Sequence, residues 1–107
     1  MPHRISTWEG SETLIRDGSK RQTVRYQDPF VPGPAEIEFE KASGEDVVIA
    51  AEVTAVRTVR RDELTDQDAV RDGFDSLAQL QAALDRHYPQ MPADSPVDIV
   101  DFELRRP

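Results

Sequence analysis

With 107 residues, the chain has room for one domain with one core, not two. It is 37% apolar and 32% charged, so that core is small and the surface well solvated. It has no cysteine, which excludes disulfides, thiolate metal sites and cysteine catalysis, and its net charge of −8 argues against a chain-wide phosphate-binding surface. Met1 to Trp8 has no apolar core of a signal peptide, and no apolar run nears membrane-spanning length, so a cytoplasmic protein without membrane contact is expected.

Residues 5–8 predict a short opening strand. Ser11 fits a helix N-cap and Gly18 the C′ position, with Leu14 and Ile15 between them to bury. Gln22 to Tyr26 predicts a strand, with Val24 and Tyr26 on one face and Thr23 and Arg25 on the other. Asp28 to Pro34, with Pro29, Pro32, Gly33 and Pro34, predicts a loop. Ala35 to Lys41 alternates, Ile37 and Phe39 opposing Glu36, Glu38 and Glu40, which predicts a half-buried strand. Ala42 to Asp46 is a hairpin-like connection.

Asp46 to Arg60 is the longest strand. Val47, Ile49, Ala51 and Val53 share a parity that Val56 breaks, predicting a bulge near Ala55 that bends the strand around a small barrel. Thr65 with Asp68, closed by Gly73, frames a short helix. Ser76 with Gln79 fits the capping box better and opens a second helix carrying Leu77, Leu80, Leu84 and Tyr88, stopped by Pro89. After a loop over Gln90 to Pro96, Val97 to Leu104 predicts a last strand with Ile99 and Phe102 in the core. Residues 1–107 thus predict one α+β domain, strand-dominated, a pseudo-barrel of about five strands with inserted helices plugging its openings.

Charge is uneven along the chain. Residues 14–26 hold Arg16, Lys20, Arg21 and Arg25 against Asp17, residues 57–61 add Arg57, Arg60 and Arg61, and residues 62–76 are strongly acidic. Either this is mixed surface charge, or the two basic segments meet in one anion-friendly site.

The segment Gly18-Ser19-Lys20-Arg21-Gln22-Thr23-Val24-Arg25 concentrates chemistry at a helix-to-strand junction. Gly18 lets the chain turn with positive φ. Thr23 and Arg25, two apart on a strand, share a face with an amine nearby. A threonine hydroxyl becomes a nucleophile when a base takes its proton, and a lysine is that base only when neutral. Burial and a cationic neighbour such as Arg21 or Arg25 favour the neutral amine, whereas a nearby acid opposes it. Arg25 is suited to stabilise a developing oxyanion. Trp8, Tyr26 and Phe74 either stack a base or pack in the core. His3 and His87 have no ligand spacing, no phosphate-cradling glycine loop is present, and neither metal nor cofactor is expected.

The same segment resembles the ASCH signature, Gly-x-Lys-x-x-Thr-x-Arg. The similarity continues through Pro32-Gly33, with Pro34 where an acidic residue is common. It extends through Glu63-Leu64-Thr65, Ala69, Gly73-Phe74, Tyr88-Pro89 and the Val97 to Phe102 strand. The resemblance implies a PUA-like β-barrel in a family linked to RNA. One small branch with this length and motif spacing consists of amidohydrolases that convert N4-acetylcytidine to cytidine and acetate. By that resemblance Lys20 is the base, Thr23 the nucleophile, and Asp72 stands where the amidohydrolases have glutamate. Arg25, Arg21, Tyr26 and Phe74 are the substrate-binding candidates, and a small nucleoside or RNA is the expected partner. The competing expectations are a non-catalytic RNA-binding module, which would use the two arginine segments, and a ligand sensor or ribonuclease sharing Lys20.

Overall fold

The structure, a computed structural model, describes residues 3–27 and 29–105. Five strands form one sheet: β1 (His3–Trp8), β2 (Gln22–Arg25), β3 (Gly33–Glu40), β4 (Val47–Arg60) and β5 (Pro96–Leu104). Their spatial order is β1-β3-β4-β5-β2, with β1 and β3 parallel and the other pairs antiparallel. β1 and β2 are therefore the two ends of the order, and the sheet curls into a half-barrel whose seam lies between them. The architecture is α+β and strand-dominated, as expected. Among the described residues three α-helices accompany the sheet: α1 (Glu12–Arg16), α2 (Asp66–Arg71) and α3 (Leu77–His87). None among the described residues is long and apolar enough to cross a membrane.

The bend in β4 falls where the broken parity put it. Val53 pairs with Phe102 but Ala55 pairs with Asp101, so one extra residue enters β4 and resets which side chains face inward. Successive strand residues point to opposite faces, yet Ile99 and Val100 are both buried. β5 is thus covered on both sides. One face holds Ile5, Ile15, Ile37, Phe39, Val53, Val100 and Phe102. The other packs Val24, Val97 and Ile99 against Leu64, Leu80 and Leu84 of the helical segment.

Several local expectations are corrected. β1 begins at His3, because its parallel pairing with β3 starts at Ala35. β3 begins at Gly33, inside the proline-rich stretch, because the long β4 reaches far enough to pair Gly33 with Val53 and Pro34 with Glu52. Ser11 does not cap α1 with its side chain. A 3₁₀ turn over Glu9–Ser11 precedes the helix, and Ser11 already has helical backbone angles and is buried. The reciprocal capping box belongs to Thr65 and Asp68, with Asp68 N–H donating to Thr65 Oγ1 at 3.2 Å and Thr65 N–H to Asp68 Oδ2 at 3.0 Å. Ser76 accepts from Gln79 N–H at 3.3 Å, but Gln79 Oε1 takes its bond from Asp75, one residue too early to close the box.

The second basic segment does not join the first. Arg57 bonds Asp68 at 2.9 Å and Arg60 bonds Asp62 at 2.6 Å. Arg61 turns inward, donating to Gln81, to the Met91 carbonyl and to Asp85, which pins α3 and the following loop onto the end of β4. Asp68 and Asp62 of the acidic stretch take up Arg57 and Arg60, and Asp85 of α3 takes up Arg61, so the three do not converge on residues 14–26.

Candidate functional site

The helix-to-strand junction is built from two glycine turns that face each other. Gly18, at φ +87°, ends α1, and Lys20 N–H folds back to the Leu14 carbonyl at 2.9 Å. Arg21 N–H then donates to the Arg71 carbonyl at 2.9 Å, which fixes the end of α2 beside the start of β2. At that end Gly73 adopts φ +88°, and a β-carbon there would sit 3.3 Å from both Leu14 Cδ1 and Lys20 Cβ. The bare backbone at 73 therefore lets Asp72 close over Lys20.

Lys20, Thr23, Arg25 and Asp72 come together here. Lys20 forms an ion pair with the Asp72 carboxylate and donates from Nζ to the Asp72 carbonyl at 2.9 Å. Both are nearly withdrawn from solvent, at 11% and 5% side-chain exposure. Thr23, 7% exposed, accepts from Arg25 Nε at 3.2 Å, and Arg25 Nη2 donates to the Ser6 carbonyl at 2.9 Å. Phe74 places its ring centre 5.9 Å from Lys20 Nζ, and Phe30 lies 5.9 Å from the Arg25 guanidinium. Burial pushes the Asp72 carboxyl above its ordinary value, while Lys20, Arg25 and the Val24 N–H pull the other way.

These groups open onto one cavity of about 510 Å³ at the seam between β2 and β1. Lys20, Thr23, Arg25, Asp72 and Phe74 all line it. Two residues grouped with the site from sequence lie outside it. Arg21 is exposed and borders a second hollow beside Arg16 and Glu103, because it precedes Gln22 on the outer side of the turn. Tyr26 packs edge-on against Tyr88, ring centres 5.6 Å apart, on the helix-covered side of β2. The sequence also left out lining residues from distant elements: Ser6 and Thr7 of β1, Glu40 at the end of β3, and His87 and Tyr88 at the end of α3. Tyr88 is visible in sequence as part of a helical stripe and of the resemblance, and nothing local indicates that this end of α3 shares a cavity with β1. From sequence, Trp8 either packs in the core or stacks a base. It is 66% exposed and lines the cavity, so it is no core residue.

No family model matches the chain, and no curated protein matches it. Solved structures do. The ASCH domain from Lactobacillus crispatus JV V101 superposes with a TM-score of 0.74, covering 95% of this chain and 79% of that one at 16% identity. The chain has the ASCH fold. Protein EF3133 from Enterococcus faecalis V583, of the DUF984 family model, gives a TM-score of 0.67 at 15% identity, covering 98% of this chain and 77% of that one. Hypothetical protein PH0355 gives 0.70 at 17% identity, covering 98% and 100% of the two chains. At these identities the likeness is one of fold. In the ASCH fold of this chain the cavity sits where the half-barrel stays open, so its walls come from both edge strands and the helices that cover them.

Proposed function

We propose that this chain belongs functionally with the ASCH-type amidohydrolases and hydrolyses the amide of a modified nucleoside, N4-acetylcytidine, to cytidine and acetate. The observation that carries this is the convergence, in one cavity, of the Lys20–Asp72 pair and the Arg25–Thr23 hydrogen bond. The cavity volume suits a nucleoside-sized ligand, since such pockets run from about 300 to 1,000 Å³. An uncharged substrate also tolerates a net charge of −8 better than a polyphosphate would.

The chemistry follows from the contacts. Thr23 Oγ1 accepts from the Arg25 guanidinium, so its own hydrogen is directed to another acceptor and an alkoxide forming there is stabilised. Lys20 takes the hydroxyl proton only after releasing one of its own. Asp72, in contact with Nζ and raised by burial, is the group positioned to hold that proton. Contact with Nζ supports this role for an aspartate one methylene shorter than the glutamate of the amidohydrolases.

Thr23 Oγ1 then bonds to the acetyl carbonyl carbon, and the carbonyl π pair moves onto oxygen. When that oxyanion collapses, the carbon–nitrogen bond breaks and the exocyclic amine of cytidine leaves with a proton from Lys20. Water adds to the acetyl ester, acetate departs, and Thr23 regains its hydrogen. The test is release of cytidine from N4-acetylcytidine by the purified chain, with Lys20→Ala as control. Turnover that falls by about 10²-fold or more in the variant supports the assignment. No turnover, or turnover unchanged by the substitution, defeats it.

A further inference from the structure

β1 ends on an indole that the core does not use. Trp8 lines the cavity yet is 66% solvent-exposed. Its ring lies over Gly10: a β-carbon there would fall 2.1 to 2.4 Å from three atoms of the six-membered ring. The glycine two residues on leaves the space in which the indole rests, while another part of the ring system remains open to solvent and to the cavity. Beside it in register, across the parallel β1–β3 pair, is Glu40, which also borders the cavity. A flat aromatic surface is favourable for a heterocycle, and an adjacent carboxylate is unfavourable for a phosphate.

We propose that Trp8 is the stacking platform of this site. It holds the aromatic ring of an uncharged nucleoside at the cavity mouth, so that the group attached to the ring reaches Lys20 and Thr23. This rests on the nucleoside-binding part of the function proposed above and names the residue that selects a flat heterocyclic ligand over an aliphatic amide. Trp8 is a binding residue here, with no role in proton transfer.

Trp8 is the single tryptophan of the chain, so its fluorescence reports the contact directly. The experiment titrates cytidine, ribose and cytidine 5′-monophosphate into the full chain, following fluorescence and heat. Cytidine is expected to alter the fluorescence saturably, ribose to leave it unchanged, and the monophosphate to bind more weakly than cytidine. By calorimetry Trp8→Ala should weaken cytidine binding about tenfold or more, and Trp8→Phe, which keeps an aromatic face, should stay within about threefold of the wild-type chain. With N4-acetylcytidine as substrate the Trp8→Ala loss should fall on KM, not kcat. Cytidine binding that ignores Trp8→Ala, or no cytidine binding at all, overturns the proposal. Trp8-dependent cytidine binding without any turnover upholds it while defeating hydrolysis. Turnover with an unchanged KM in Trp8→Ala does the reverse.

Discussion

The Arg25 guanidinium bridges the open seam of the half-barrel, giving Nη2 to the Ser6 carbonyl at 2.9 Å, while its Nε holds Thr23 Oγ1 at 3.2 Å. One side chain thus joins the edge strands β1 and β2 and orients the hydroxyl on the cavity wall. A lysine is a single point charge on a flexible stem and cannot make two divergent bonds in a fixed plane. Arg25→Lys should lower turnover by about 10²-fold and stability by about 1–2 kcal/mol, read by cytidine release and urea unfolding. Wild-type turnover in Arg25→Lys would show that the planar donor is not used.

Asp72 sets a pH dependence of known sign. Burial raises its folded-state value above the 3.8 of an ordinary aspartate. Between those two values the folded chain holds more protons than the unfolded one. The contribution of this group to stability is therefore complete below 3.8 and is lost as pH rises through the folded value. The Asp72 carboxyl carbon, followed by NMR, should titrate with a midpoint above 3.8. In Lys20→Met the midpoint should rise further, because Lys20 is the largest influence opposing burial. A midpoint at or below 3.8, or a fall in Lys20→Met, contradicts the environment described here.

Arg61 carries structure, not binding. Its side chain is 8% exposed and reaches Gln81 Oε1 at 2.6 Å, the Met91 carbonyl at 3.2 Å and Asp85 at 2.7 Å. Arg61→Met should cost about 2–4 kcal/mol in urea unfolding, since it strands buried acceptors on α3 and its following loop. Asp85 is 69% exposed, and its removal should cost under about 1 kcal/mol. Equal losses from the two substitutions would contradict this division.

Two glycines with nearly the same φ should respond differently. Gly18 at +87° has open space where a β-carbon would be, so Gly18→Ala bears only the backbone strain of about 1 kcal/mol. Gly73 at +88° adds contact with Lys20 Cβ at 3.3 Å, so Gly73→Ala displaces the lysine as well. Turnover should fall about tenfold or more in Gly73→Ala and far less in Gly18→Ala. Similar losses in both would mean that the close approach at Gly73 does not position Lys20.

The elements legible in the sequence were those whose signal is local. Ile37 and Phe39 alternating with glutamates, the parity break before Val56, and Pro89 after Tyr88 each located an element or its end. The Gly18 to Arg25 motif located half of the site, because a turn followed by a strand fixes Thr23 and Arg25 on one face. Asp72 could be reached only through resemblance, since it lies 52 residues from Lys20 and meets it because Arg21 bonds the end of α2. Ser6, Glu40 and His87 were invisible, because their place in the cavity depends on where the sheet fails to close. For Arg57, Arg60 and Arg61 the sequence leaves open mixed surface charge or one anion-friendly cluster, because charge counts along the chain ignore partners. Here Asp62, Asp68 and Asp85 take those arginines up.

Thr23 bears the central claim, and conservative and radical changes at this one position test it most directly on N4-acetylcytidine. Thr23→Ser keeps a hydroxyl for Arg25 Nε to hold and should retain cytidine release within about tenfold. Thr23→Ala removes the attacking oxygen and should reduce release to the rate in buffer. Cytidine release at the wild-type rate by a folded Thr23→Ala protein would contradict nucleophilic attack from the seam of the half-barrel.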